Sequence, residues 1–140
     1  MVLRGLLIVS AIFTAAPGLP SADESKTRPA DKPARVLRHV VMYKFKDDQP
    51  KERVQEVVVA FSALPQKIDT IIGYEHGTNV SQEGKSEGFT HVFVVTFRDE
   101  AGRDAYLKHP AHDAYVQIVK DRREKVVVFD YWTDAPLERD

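Results

Sequence analysis

The sequence predicts an α+β domain: an antiparallel four-stranded sheet with helices on one face. Strand and helix periodicities alternate in the order β-α-β-β-α-β between about Val36 and Trp132. Both faces of the two most regular strands carry apolar side chains. A chain of 140 residues with 43% apolar content suits one domain with a real core.

VLRHVVMYKFK is the first strand, rich in β-branched and aromatic residues. Alternation puts Leu37, His39, Val41, Tyr43 and Phe45 on one face, and Arg38, Val40, Met42 and Lys44 on the other. DDQPKERVQEVVVAFSALPQKI follows as a helix: its acids and Pro50 suit a first turn, and Val54, Val57, Val58, Phe61 and Leu64 recur at helical spacing. That period outweighs the weak helix propensity of the run Val57 to Val59. IIGYEHGTNV is the second strand and SQEGKSEG a polar loop. GFTHVFVVTFRD is the third strand, with Phe89, His91, Phe93, Val95 and Phe97 on one face and Thr90, Val92, Val94 and Thr96 on the other. Asp99 caps a short helix from Glu100 to Lys108, Pro110 opens another that runs to about Arg123, and KVVVFDYW is the last strand. This order is the split βαβ pattern of a ferredoxin-like sheet.

The flanks differ in composition. MVLRG and the apolar run GLLIVSAIFTAA have the length of a signal-peptide core and fall short of the roughly 20 apolar residues of a membrane span. Residues 1–22 are therefore expected to be a signal peptide, cut after Gly18 or Ala22, and the protein to be exported (periplasmic or secreted) with no stable membrane anchor. Residues 23–35, proline-rich and charged, are expected to be a disordered linker, residues 36–133 the folded domain and residues 134–140 a polar tail. Lys+Arg is 20 against Asp+Glu 21, with no long basic run, so nucleic acid is not an expected partner. Without cysteine there is no disulfide, thiol nucleophile or thiolate metal site. No glycine-rich phosphate loop or dinucleotide fingerprint supports redox or phosphoryl-transfer chemistry, and no cofactor is expected.

Two helices cover only one face of four strands. The other face, with Val40, Met42, Val92 and Val94, needs cover from elsewhere, and a second copy of the same sheet is the economical choice. A homodimer through this face is the expectation; Arg38, Lys44 and the threonines make it more polar than a core, as suits an interface.

RHVVMYKFK, NVSQEGKSEGFTHVFVVTF, YLKHPAHDAYVQIV and VFDY together resemble the stress-responsive A/B barrel (Dabb) family over about Val36 to Trp132. The resemblance implies a ferredoxin-like protomer whose sheet pairs with a second one in a dimeric α+β barrel, helices outside. Family members include plant stress proteins and a plant polyketide cyclase that closes an aromatic ring by aldol condensation. The tyrosine opening YxxHPAH and its second histidine are that cyclase's catalytic positions, here Tyr106 and His112. The resemblance also implies that His39 and His91 line the same pocket.

YLKHPAHDAY can be read as an acid/base pair, a metal site or helix packing. In one unbroken helix Tyr106 and His112 would lie about 240° and 9 Å apart and could not converge. Pro110 breaks the hydrogen-bond ladder and lets the chain turn, with His109 near the cap and His112 in the first turn of the new helix. The positive helix end then favours a neutral imidazole at His112, able to take an α-proton, while Tyr106 donates to a carbonyl oxygen gaining charge. Alternatively His112 caps backbone and Tyr106 fills space. His109 and His112 alone are too few for a closed zinc site, so no metal is expected. His39 and His91 share a face with large apolar residues, where a hydrogen-bonded core histidine is the commoner outcome. Both lie early in antiparallel strands, a placement toward opposite ends of the sheet, whereas the resemblance implies one cavity; the sequence alone does not fix the register that decides between them. Tyr43 and Phe93 complete the candidate pocket lining. Two functions follow: an exported domain binding a small hydrophobic or aromatic molecule without catalysis, or a cofactor-independent cyclase, aldolase-like enzyme or isomerase using Tyr106 and His112.

Overall fold

The computed structural model describes residues 35–134; the expected signal peptide and nearly all of the linker and of the polar tail lie outside the described residues. Strand β1 spans Arg35–Phe45, helix α1 Lys51–Ser62, β2 Ile71–Thr78, β3 His91–Phe97, α2 Glu100–Leu107, α3 Pro110–Val119 and β4 Arg123–Asp134, with one 3₁₀ turn at Leu64–Gln66. The sheet order is β2-β3-β1-β4, every pair antiparallel, which is the ferredoxin-like arrangement expected.

Element ends differ from the sequence reading for local reasons. Pro50 precedes α1 as its cap residue, with ψ 149°, instead of sitting in the first turn. The helix stops at Ser62 because Pro65, lacking an N–H, cannot continue the ladder, and the chain tightens into the 3₁₀ turn. β3 begins at His91, three residues late. Glu87 and Gly88 take positive φ, and the Phe89 N–H donates to the Ser86 carbonyl at 2.8 Å in a turn. At Gly88 a Cβ would stand 2.7 Å from Lys44 Cε, so glycine serves both conformation and close approach there. α3 ends at Val119, short of Arg123. The Arg122 carbonyl already accepts from the Lys46 N–H at 3.0 Å, which starts the β1–β4 pairing.

The core lies between the helices and one face of the sheet. Burial alternates along β1, with Leu37, His39, Val41, Tyr43 and Phe45 buried on the helix side as the alternation predicts. Val57, Phe61, Leu64, Ile68, Phe93, Val95, Phe97, Tyr106, Tyr115 and Val119 complete it, and each large apolar side chain buried there contributes about 1.5–3 kcal/mol. On the opposite face Val40, Met42, Val92 and Val94 are half-buried. β4, at the sheet edge, leaves apolar side chains exposed on both faces: Val126, Val128 and Trp132 pair with helix-side residues of β1, Val127, Phe129 and Tyr131 with back-face ones. Among the described residues no helix is long and apolar enough to cross a membrane.

Candidate active site

The site forms where α2 ends and α3 begins. Asp99 caps α2, its carboxylate accepting from the Gly102 N–H at 2.8 Å. One residue after the helix the chain turns: His109 is extended (φ −75°, ψ 136°) and caps α3, its Nδ1 accepting from the Ala111 N–H at 3.0 Å, with Pro110 as the first helical residue. His109 Nδ1 is thereby committed to backbone. The corner places His112 against Tyr106, ring centroids 4.5 Å apart, a contact one straight helix could not make.

Tyr106 is 1% exposed and lies between Phe97 (5.2 Å), His39 (5.6 Å) and His112. Burial pushes its hydroxyl far above the ordinary tyrosine range, with Tyr43 and Tyr74 adding to the shift, so Tyr106 stays protonated and can only donate as an acid. His112 moves the other way: burial chiefly, with the nearby His39, holds its imidazole below the usual 6.5, against smaller opposing effects of Asp113 and the Leu107 carbonyl. Its Nδ1 is buried and has no hydrogen-bond partner among the described residues. A buried polar atom of this kind carries a desolvation cost unless something bonds to it.

His39 is buried on β1 directly opposite Asp130 on β4, and its Nδ1 lies 2.6 Å from the Asp130 carboxylate. The other carboxylate oxygen accepts from Arg103 Nη1 at 2.8 Å, and Arg103 stands one turn before Tyr106 on α2. Neither Arg103 nor Asp130 was singled out in the sequence. The available signal was an acid inside the apolar run VVVFDYW, which the ferredoxin-like order pairs with the first strand.

His39, Tyr106 and His112 thus come together, and His91 does not join them. His91 sits opposite Tyr43 while His39 sits opposite Val95, so they are separated by four residues, about 13 Å, along the sheet. His91 Nδ1 hydrogen-bonds Thr90 Oγ1 at 2.8 Å and its ring packs on Phe45 at 5.1 Å; burial, then His76, lowers its pKa. It lines a groove beside the β2–β3 loop together with Met42, Phe89 and Val92. A second groove runs over α1 and α3 past Val59, Ile118 and Arg122, and neither groove is lined by Tyr106, His39 or His112. Tyr43 accepts a hydrogen bond from the Tyr115 hydroxyl at 3.0 Å, and burial raises the pKa of both. Phe93 stacks on Phe61 at 4.3 Å, in the core wall instead of beside Tyr106. His76 is exposed. No cluster of three or more metal-ligating side chains occurs among the described residues.

The stress responsive A/B barrel domain, Dabb, matches residues 37–133. The chain belongs to the Dabb family. It is 32% identical over 95 residues to stress-response A/B barrel domain-containing protein HS1 of Arabidopsis thaliana, covering 68% of this chain and 87% of that one. Olivetolic acid cyclase of Cannabis sativa is 30% identical over 96 residues, covering 69% and 95% of the respective chains. Among solved structures, a dimeric protein of ferredoxin-like fold from Bacteroides fragilis superposes with a TM-score of 0.57 at 29% identity, covering 69% of this chain and 94% of that one. The Dabb domain therefore occupies nearly all of the described residues.

Proposed function

We propose that this Dabb protein is an exported homodimer whose helix–sheet site takes up a small hydrophobic or aromatic carbonyl compound. There it catalyses proton transfer next to the carbonyl without a cofactor, the chemistry of a cyclase, an aldolase-like enzyme or an isomerase. The observation that carries this reading is the buried, unpartnered His112 Nδ1 packed against a Tyr106 held protonated by burial. Similarity to a cyclase at 30% identity supports it. His112, neutral near pH 7, takes a proton from the carbon beside the carbonyl; the C–H electrons move into the C–C bond and the carbonyl electrons onto oxygen. The Tyr106 hydroxyl donates a hydrogen bond to that oxygen, and the enolate then attacks an electrophilic carbon or recovers a proton. Because the rings touch, a ligand must part them on entry. Export rests on the sequence of residues 1–22, and the homodimer on the exposed apolar side chains of β4 and the dimeric relative.

Acetophenone serves as a probe. Its methyl protons should exchange with solvent deuterium faster in the presence of the protein, as followed by proton NMR. Tyr106→Phe and His112→Ala should remove the acceleration while saturation-transfer binding persists. A wild-type protein that binds acetophenone and other aryl ketones without any exchange sinks the catalytic reading in favour of binding alone.

A further inference from the structure

We propose that Arg103, acting through the Asp130 carboxylate, is a positioning residue for His39, which it makes a second acid/base group facing Tyr106. Three elements meet in this chain of contacts: His39 from β1, Asp130 from β4 and Arg103 from α2. Asp130 binds with both oxygens, Oδ1 at 2.6 Å from His39 Nδ1 and Oδ2 at 2.8 Å from Arg103 Nη1. The remaining guanidinium donors, Nε and Nη2, go to Asp104 at 3.0 and 2.9 Å, so Arg103 is clamped at both ends. A carboxylate at Nδ1 keeps the proton on that nitrogen and leaves the lone pair on Nε2, at the far end of the ring. His39 is buried with its ring edge-to-face on Tyr106, whereas His109 has its Nδ1 bound to backbone and His91 lies at the other end of the sheet.

The titratable and charged groups around His39 are Asp130 from β4, Arg103 and Tyr106 from α2, and His112 from α3; β3 contributes the non-titrating Phe97. Arg103 competes for the charge of Asp130. With Arg103 in place, the carboxylate orients the imidazole while only part of its charge is free to stabilise imidazolium. His39 Nε2 can then accept a proton from substrate carbon, becoming imidazolium, and return it in the second half of the reaction.

This inference rests on the proton-transfer reading for its use, and the experiment separates the two. Long-range ¹H–¹⁵N correlation spectra of the full chain report the tautomer and titration midpoint of each histidine without requiring turnover. The wild-type protein should show His39 as the Nδ1–H tautomer at pH 8. Arg103→Gln frees Asp130 to pair with His39 alone, so its midpoint should rise by about one pH unit, while Arg103→Lys should restore it to near wild type. Asp130→Asn should lower the midpoint and mix the tautomers. Acetophenone exchange in the same samples should show its acidic limb moving upward in Arg103→Gln. Equal His39 midpoints in wild type and Arg103→Gln, or a wild-type Nε2–H tautomer, overturn the positioning role. An inert wild type with the His39 shifts intact supports the positioning while overturning the reaction.

Discussion

Burial acts oppositely on the two side chains that meet at the helix corner. It removes water from both, which disfavours the charged form of each: phenolate at Tyr106 and imidazolium at His112. The pair is therefore fixed as a donor and an acceptor near neutral pH by one physical cause. Tyr106→Phe keeps the ring against Phe97 and His39 and removes only the hydroxyl, so exchange should fall roughly 100-fold with a far smaller change in urea midpoint. His112 also links stability to pH. Its folded pKa is depressed, so its contribution is fully present above the unfolded value of 6.5 and is lost as pH falls through the lower folded value. His91 contributes with the same sign. Thermal melts should show the melting temperature dropping below about pH 6.5, and less steeply in His112→Phe. An equally steep decline in that variant would show that His112 is not the group responsible.

At the scale of elements, the corner between α2 and α3 does most to make the site. His109 is bound through its cap, so His109→Ala should cost about 1 kcal/mol in urea unfolding and let the start of α3 fray, weakening the Tyr106–His112 contact and lowering exchange with it. The proline and the cap were readable from HPAH, because a missing N–H and a capping side chain are local signals. The β1 face was equally readable, since alternation decides burial wherever helices cover one side, whereas on β3 Thr96 of the back face is buried and His91 of the core face only half-buried. Other features depend on contacts distant in sequence. His39 and Asp130 are 91 residues apart, and their contact follows from strand register that composition does not set. The separation of His39 from His91 likewise follows from the β1–β3 register, which places one opposite Val95 and the other opposite Tyr43. The ends of β3 and α3 differ from the sequence expectation because a turn at Glu87–Gly88 and an early strand contact at Arg122 override local propensity.

For the whole molecule, β4 is the element that a single chain leaves unfinished. Among the described residues it pairs only with β1 and forms one edge of the sheet, and it exposes Val127, Phe129 and Tyr131 on the back face, with Phe129 61% exposed. An edge strand of this length with apolar side chains on both faces invites association. The proposed dimer buries that face together with the half-buried Val40, Met42, Val92 and Val94, and a stable interface of ordinary size removes about 1,200–2,000 Å² from water. Neighbouring positions on β4 serve the two sides of the sheet: Phe129 and Tyr131 point to the back face, while Asp130 between them points to His39. Holding β4 in the dimer therefore also holds the carboxylate that meets Arg103. Phe129→Lys places a charge midway along the exposed back face of this edge strand and should yield a monomer by sedimentation velocity at micromolar concentration, where wild type sediments as a dimer. The Tyr106–His112 contact is built by helices alone and should survive in the monomer, whereas the His39–Asp130 pairing should loosen, leaving exchange reduced but present. A Phe129→Lys protein that sediments as wild type would place the dimer contact elsewhere, and a monomeric wild type would defeat the proposed assembly.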